Sequence, residues 1–244
     1  MTHPLRLQAC CNGTRSAPGL APESAAALAA AAAEVVHHVE GVHVHPRDAT
    51  GRDSLAADDV DATVAAVRAA APTLEVGVTT GAWAMPDVDD RLRAIASWTT
   101  LPDVASVNWH EPGADEVAAA LLDRGVGVEA GIWHAEGLAA WLASPVRDRV
   151  TRVLVEVQPM AEAAALATAR ELVDAVAAAS SAPILLHGED ESAWPVLREA
   201  ARRGLATRMG LEDALLLPDG SVASGNRALV EAAIEVRRVV AGTG

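Results

Sequence analysis

The chain has 244 residues, 33 acidic against 19 basic, and a formal net charge of −14; more than a fifth of it is Ala, every basic residue is Arg, and Phe, Tyr and Lys are absent. So acidic a chain, without a basic run, is a poor match for nucleic acid or an anionic membrane surface. No uncharged apolar stretch reaches the roughly 18 residues of a bilayer span, the N-terminus lacks a signal-peptide layout, and the adjacent pair Cys10 and Cys11 cannot build a disulfide framework, so the expected setting is the reducing cytoplasm.

Along the chain, short β-rich runs alternate with Ala-rich amphipathic stretches. The first run, 5–10, leads into Asn12-Gly13-Thr14-Arg15, and Pro22-Glu23 then opens a helix. The second, 41–45, carries His43-Val44-His45 and ends in Pro46-Arg47-Asp48, with Ser54 ahead of the next helix. The third, 74–79, ends in Thr79-Thr80-Gly81. The fourth, 104–108, delivers Ser106 and Asn108, and the segment 111–115 starts a helix. The fifth, 126–129, ends on Glu129; the sixth, 152–157, brings Glu156 and Gln158; the seventh, 183–187, brings His187. The eighth, 205–211, carries Arg208 and leads to Glu212 and Asp213. Gly125 and Gly204 stand where helices should stop. Eight such units without a linker predict one α/β domain over residues 1–244, a closed (β/α)8 TIM barrel. A doubly wound sheet is the weaker fit, because no Gly-x-Gly-x-x-Gly follows the first run.

A barrel of this kind does its chemistry at the C-terminal ends of its strands, where these polar residues gather. His43 and His45 are the sharpest pair. Residues i and i+2 of a strand share a face about 6–7 Å apart, so both imidazoles can reach one metal. Glu212, at the end of a neighbouring strand in a closed barrel, is the sensible third ligand. The competing reading is two interior histidines bonded to their neighbours. Two His and a Glu suit Zn2+, but also Co2+, Mn2+, Ni2+ or Fe2+. Adjacent carboxylates point apart, so Glu212 can bind metal while Asp213, oriented by Arg208, acts on substrate; an ion-pair cluster under the rim is the alternative. Thr79-Thr80-Gly81 can cradle a carboxylate or form an ordinary turn. Trp83, Trp109 and Trp133 are placed to wall a pocket or to pack above the barrel. His37-His38 lacks same-face spacing and belongs to a helix end. Nothing marks Cys10 or Cys11 as an activated thiol. Without Lys there is no lysine Schiff base, so a carbonyl would have to be activated by a metal or by hydrogen-bond donors.

The segment 41–55 (GVHVHPRDATGRDSL), with Arg208-Met-Gly-Leu-Glu-Asp213 and Leu217-Pro-Asp-Gly220, resembles the β-keto acid cleavage enzyme family, whose type is the 3-keto-5-aminohexanoate cleavage enzyme. Asn12-Gly13, Thr79-Thr80-Gly81, Ser106 to Asn108 and Gly127 to Glu129 follow in family order. The resemblance implies a Zn2+-dependent barrel enzyme in which a β-keto acid and acetyl-CoA give acetoacetate and a new acyl-CoA. It places the metal on His43, His45 and Glu212, and the catalytic pair on Asp213 and Arg208. It places substrate contacts at Thr79, Ser106 and Glu129, and it implies a homo-oligomer. Two departures stand out. Arg15 replaces the Glu that meets the ammonium group in the aminohexanoate enzyme, which argues against an amino substrate and for a neutral or anionic β-keto acid. Ala214 follows Asp213 where relatives carry Asn. A metal-dependent barrel hydrolase or aldolase that does not use CoA, or a non-catalytic barrel, are the alternative classes.

Overall fold

A computed structural model describes residues 6–14 and 20–242. Strands and helices alternate as β1 (Leu7–Cys10), α1 (Ala25–Val35), β2 (Gly41–Val44), α2 (Ala57–Ala70), β3 (Glu75–Thr79), α3 (Val88–Ser97), β4 (Val104–Asn108), α4 (Ala114–Asp123), β5 (Gly127–Ile132), α5 (Ala135–Ala143), β6 (Arg152–Val157), α6 (Glu162–Ala179), β7 (Ile184–Gly188), α7 (Ala193–Arg202), β8 (Thr207–Met209) and α8 (Asn226–Ala241). All strand pairs in the sheet are parallel, in the order β7-β6-β5-β4-β3-β2-β1-β8. The ring closes between β7 and β8: Leu185 bridges Ala206, the Leu186 N–H donates to the Ala206 carbonyl at 2.9 Å, and Thr207 Oγ1 donates to the Leu186 carbonyl at 2.7 Å. This is the (β/α)8 barrel expected from the eightfold alternation.

Strand alternation sorts the side chains into two layers. Val42, Val44, Val76, Val78, Val153 and Val155 point outward and are fully buried beneath the helices, where the main apolar core lies. The Ala-rich helices suit this layer, since Ala has the highest helix propensity and lets helix and sheet approach closely. Trp98 and Trp141 supply the largest fully buried side chains in a chain without Phe or Tyr, and Trp98 Nε1 donates to the Leu55 carbonyl at 2.9 Å. Ser24 caps α1 through its side chain, and left-handed Gly125 (φ 78°) and Gly204 (φ 68°) end α4 and α7 as the sequence indicates. His37 and His38 lie in the turn after α1. No helix is long and apolar enough to cross a membrane, among the described residues.

The inward layer differs from expectation. Polar side chains do not merely collect at the strand ends; they run down the barrel axis. The sequence puts the end of the fifth strand at Glu129, because an isolated charge usually closes an apolar run. The strand instead continues to Ile132, and Glu129 sits fully buried in its first half. Arg152 makes this tolerable. Its Nε donates to Glu129 Oε1 at 2.7 Å and its Nη2 pairs with Glu75, while Gln8 Nε2 donates to Glu129 Oε1 at 3.2 Å. A buried carboxylate survives only with such a partner. The eighth strand is also shorter than expected, because the chain turns sharply after Met209 towards Glu212.

On the outer surface, Glu199 of α7 holds Arg170 of α6 by two hydrogen bonds (2.9 and 3.1 Å) and also pairs with Arg202 and Arg203. The Arg170 and Arg203 guanidinium groups outweigh burial and pull its carboxyl down to about 2. A depressed carboxylate stabilises the fold above the ordinary carboxylate range, and that contribution disappears as the pH falls through the folded value. Solvent screening among partly exposed arginines limits it to about 1 kcal/mol. Glu199→Gln should therefore lose about that much in urea unfolding at pH 7, and the difference from wild type should fade as the pH approaches 2.

Candidate metal and catalytic site

The β2 backbone sends His43 and His45 to the same inward face at the top of the barrel. Their ring centroids lie 5.3 Å apart, and both are buried. His45 lies just past the end of the strand. Asn12 fixes it there, its amide donating to the His45 carbonyl and its carbonyl oxygen accepting the His45 N–H, both at 2.9 Å. Glu212 arrives from the turn after β8, with its N–H 3.3 Å from the Cys10 carbonyl. It stands 3.4 Å from His45 Nε2 and 4.0 Å from His43 Nε2. One ligand atom from each of these three residues lies within 4.8 Å of the others, the only such cluster of three among the described residues.

The donor set fits a divalent transition metal. It offers two imidazole nitrogens and one carboxylate facing a cavity, with room for a further ligand. His43 is chemically ready for that role. Burial, with Arg208 nearby, pulls its imidazole down to about 4, and Nδ1 has no hydrogen-bond partner. For His45, burial acts downward, but the flanking Glu212 and Asp53 outweigh it and hold the ring up at about 9. Arg208, His45 and His43 hold Glu212 well below the usual carboxylate range in spite of its burial.

Gly13 shapes this corner. It has a left-handed φ of 61°, and a Cβ there would overlap the Glu212 side chain. Gly13→Ala should therefore cost about 1–3 kcal/mol, from backbone strain together with the displaced carboxylate. Thermal unfolding reads this directly, and an unchanged melting temperature would mean that Glu212 moves aside freely.

Beside the His/His/Glu cluster lies a second group. Arg208, on β8, donates from Nη2 to Glu212 Oε1 at 2.9 Å and to Asp213 Oδ1 at 3.0 Å, and its Nη2 is 3.7 Å from Glu156. Asp213 Oδ2 is 3.3 Å from His187 Nδ1, and His187 Nε2 is 3.3 Å from Glu156. Burial and Arg208 act to lower His187, but Asp213 and Glu156 outweigh them and raise it to about 9. Asp213 is held below its usual value by Arg208 and His187, against the effect of burial. Glu212 and Asp213 thus point to different partners, as adjacent carboxylates should, while sharing one guanidinium.

The cavity above these groups holds about 510 Å3 and is lined by residues from all around the barrel mouth. Thr79, Ser106, His43, His45, Arg208 and Glu212 line it, so the structure brings six of the expected residues together. Asp213 does not line it and is fully buried behind Arg208. Glu129 does not line it either; it lies beneath His43, with Oε2 3.9 Å from Nδ1. Arg15 lies outside the described residues. Of the three tryptophans, Trp83 and Trp133 line the cavity, whereas Trp109 packs into the core and donates from Nε1 to Asp115 at 3.1 Å. Both thiols are free and buried; burial pushes Cys11 up to about 12 and Cys10 higher than usual, so neither is a nucleophile.

Sequence reasoning passed over two residues. Glu189, on the loop after β7, lines the cavity, and burial with Glu156 and Asp213 nearby raises its carboxyl to about 8. Nothing in the local sequence marks it, since its environment comes from other strands. Asp53 contacts His45; its place in the Gly51-Arg52-Asp53-Ser54 segment, inside the most distinctive motif, was the available signal.

The chain matches the family model described as beta-keto acid cleavage enzyme over residues 7–242. No curated protein matches it. Among solved structures, the apo form of ObcA superimposes with a TM-score of 0.65 at 19% identity, over 92% of this chain and 62% of that one. A ternary complex of ObcA with a C4-CoA adduct and oxalate gives 0.64 at 18%, over 92% and 64%. A type I 3-dehydroquinate dehydratase from Clostridium difficile gives 0.69 at 12%, over 98% and 93%. At these identities the structural likeness shows the barrel fold alone, and the chain spans less than two thirds of ObcA.

Proposed function

This chain belongs to the β-keto acid cleavage enzyme family, and from that premise we propose that it is a metal-dependent enzyme condensing a β-keto acid with acetyl-CoA to give acetoacetate and an acyl-CoA. The observation that carries the reading is the convergence of His43, His45 and Glu212 at the barrel mouth, beside the Arg208–Asp213 pair. ObcA has been captured with oxaloacetate and with a C4-CoA adduct, ligands of matching chemistry.

His43, His45 and Glu212 would hold a divalent metal, Zn2+ in our reading, which would supply a Lewis acid for a keto oxygen. The protein does the rest. Thr79 and Ser106 offer hydroxyls on one side of the cavity for the substrate carboxylate; Thr79 Oγ1 accepts the Gly81 N–H at 3.2 Å and so has its own proton to donate outward. Arg208, which lines the cavity, holds the buried Asp213 in one orientation through a two-point contact, and the Arg208–Asp213 pair is assigned the proton on the substrate carbon between the keto and carboxylate groups. The resulting carbanion attacks the thioester carbonyl of acetyl-CoA, so that a carbon–carbon bond forms as the C–S bond breaks and CoA thiolate leaves. The thiolate then adds to the substrate's original keto carbon, and retro-Claisen cleavage of that carbon's bond to the carbanion carbon gives the acyl-CoA and, with the proton returned, acetoacetate. Glu129 supports His43 from below instead of meeting substrate. The enzyme is taken to work as a homo-oligomer in the cytoplasm, where its two cysteines stay as free thiols.

The cavity wall favours a neutral acyl chain. Trp133 and Leu154 offer apolar surface, while Glu156 and Asp190 would meet a second substrate carboxylate with like charge. Those carboxylates would attract an ammonium group, so the expectation against an amino substrate rests on Arg15 standing in the sequence where the aminohexanoate enzyme carries the Glu that meets the ammonium. We expect kcat/KM for a plain acyl β-keto acid to exceed that for 3-keto-5-aminohexanoate by about tenfold or more, one misplaced charge being worth about 1.4 kcal/mol at least. The assay is acetoacetate release from acetyl-CoA across neutral, dicarboxylic and amino β-keto acids. Preference for the amino compound sinks the specificity reading, and turnover without CoA sinks the cleavage reading in favour of a hydrolase or aldolase.

A further inference from the structure

We propose that Asp53 is the positioning residue for His45, fixing its ring so that Nε2 alone is presented to a metal. The inference rests on the metal reading given above. An imidazole has two nitrogens, and the one that binds a metal is decided by the hydrogen bond that the other makes. His45 Nδ1 lies 2.9 Å from Asp53 Oδ2, while Nε2 faces Glu212. A carboxylate can only accept there, so Nδ1 carries the hydrogen and Nε2 is the nitrogen left for the metal.

Asp53 is itself held at both oxygens. Trp83 Nε1 donates to Oδ2 at 2.8 Å, and Arg47 Nη1 pairs with Oδ1 at 2.5 Å. Arg47 and Asp53 also face each other across an antiparallel backbone bridge, which ties the β2–α2 loop into a fixed turn. The Trp83 indole lies nearly parallel to the His45 ring, at 17° with centroids 5.9 Å apart. It rests on Gly81, where any Cβ would overlap the indole. With Asn12 clamping the backbone on the other side, His45 is held everywhere except at Nε2.

His43 is built differently. Its Nδ1 has no hydrogen-bond partner, and the Glu129 oxygen below it is 3.9 Å away. The site therefore pairs one imidazole whose far nitrogen is hydrogen-bonded with one whose far nitrogen is not, and the first depends on a single carboxylate for that bond.

Asp53→Asn keeps the size of the side chain but puts an amide where two hydrogen-bond donors and the Arg47 guanidinium converge. Loss of such an outer partner weakens metal binding by about 10–100-fold. The test is Co2+ binding to metal-free protein, followed by visible absorption, in wild type, Asp53→Asn, Trp83→Phe and His45→Ala. We expect Asp53→Asn to weaken Co2+ by at least tenfold and shift its absorption bands. Trp83→Phe, which keeps the stacked ring but removes one donor, should fall in between, and His45→Ala should show little uptake. Asp53→Asn binding Co2+ within twofold of wild type, with the same bands, overturns the inference and leaves the metal reading standing. A wild type that takes up no Co2+ overturns both. If Asp53→Asn does not fold, 15N-histidine spectra of Zn2+-loaded wild type decide: a protonated Nδ1 and metal-bound Nε2 at His45 are expected, and ligation through Nδ1 overturns the proposal.

Discussion

His43→Ala should abolish acetoacetate formation while leaving the barrel folded. The side chain is neutral over most of the pH range and makes no hydrogen bond through Nδ1, so its loss removes little that holds the fold together. What it does remove is one of the three proposed metal ligands. Lewis-acid stabilisation of developing oxyanions is worth several kcal/mol, and each 1.4 kcal/mol is a factor of ten, so kcat/KM should drop by about 1,000-fold or more. Metal content should fall from about one ion per chain to nearly none. Chelation of the wild type should give the same loss and be reversed by added Zn2+, whereas the variant should stay inactive at the same metal concentration. Retained activity in His43→Ala, with circular dichroism unchanged, would show that the cluster is an internal hydrogen-bonding group and not a catalytic metal centre.

Arg208→Met should have the largest effect on stability. The guanidinium is buried and is the shared cation of Glu212, Asp213 and Glu156, three carboxylates inside the barrel. Breaking a buried ion pair by removing one partner costs about 3–5 kcal/mol, because a charge is left uncompensated. The sign of the pH dependence follows from the carboxylates. Arg208 holds Glu212 and Asp213 below their usual values, so its contribution is present above the ordinary carboxylate range and is lost as the pH falls through their folded values. Urea unfolding should show the full deficit at pH 7 and a progressively smaller one as the pH is taken below the ordinary carboxylate range. Arg208→Lys should recover part of the stability but little of the activity, since an ammonium cannot make the two-point contact that fixes Asp213. A deficit under 1 kcal/mol at pH 7 would mean that the three carboxylates are not ionised together.

Much of this was legible from one sequence, because it depended on local pattern. The eightfold alternation of β-rich runs and Ala-rich helices fixed the barrel, and closure of the barrel put the strand ends in one place. The period of a strand put His43 and His45 on one face without reference to anything distant. Glycines needing a positive φ marked the ends of α4 and α7.

Where the pattern failed, the cause was always a partner far along the chain. Glu129 is a strand residue and not a strand terminus because Arg152 of the next strand neutralises it, with Glu75 beyond. Trp83 and Trp133 reach the cavity while Trp109 does not, a choice made by the loops around them. Asp53 is bonded to His45 because the β2–α2 loop folds back on itself, and Glu189 is raised because β6 and the turn after β8 bring Glu156 and Asp213 close to it. Sequence alone thus determined the type of fold and the shared inward face of His43 and His45, since strand period is local. Burial and charge pairing were decided by tertiary structure, because each is set by groups that only the closed barrel brings within a few ångströms.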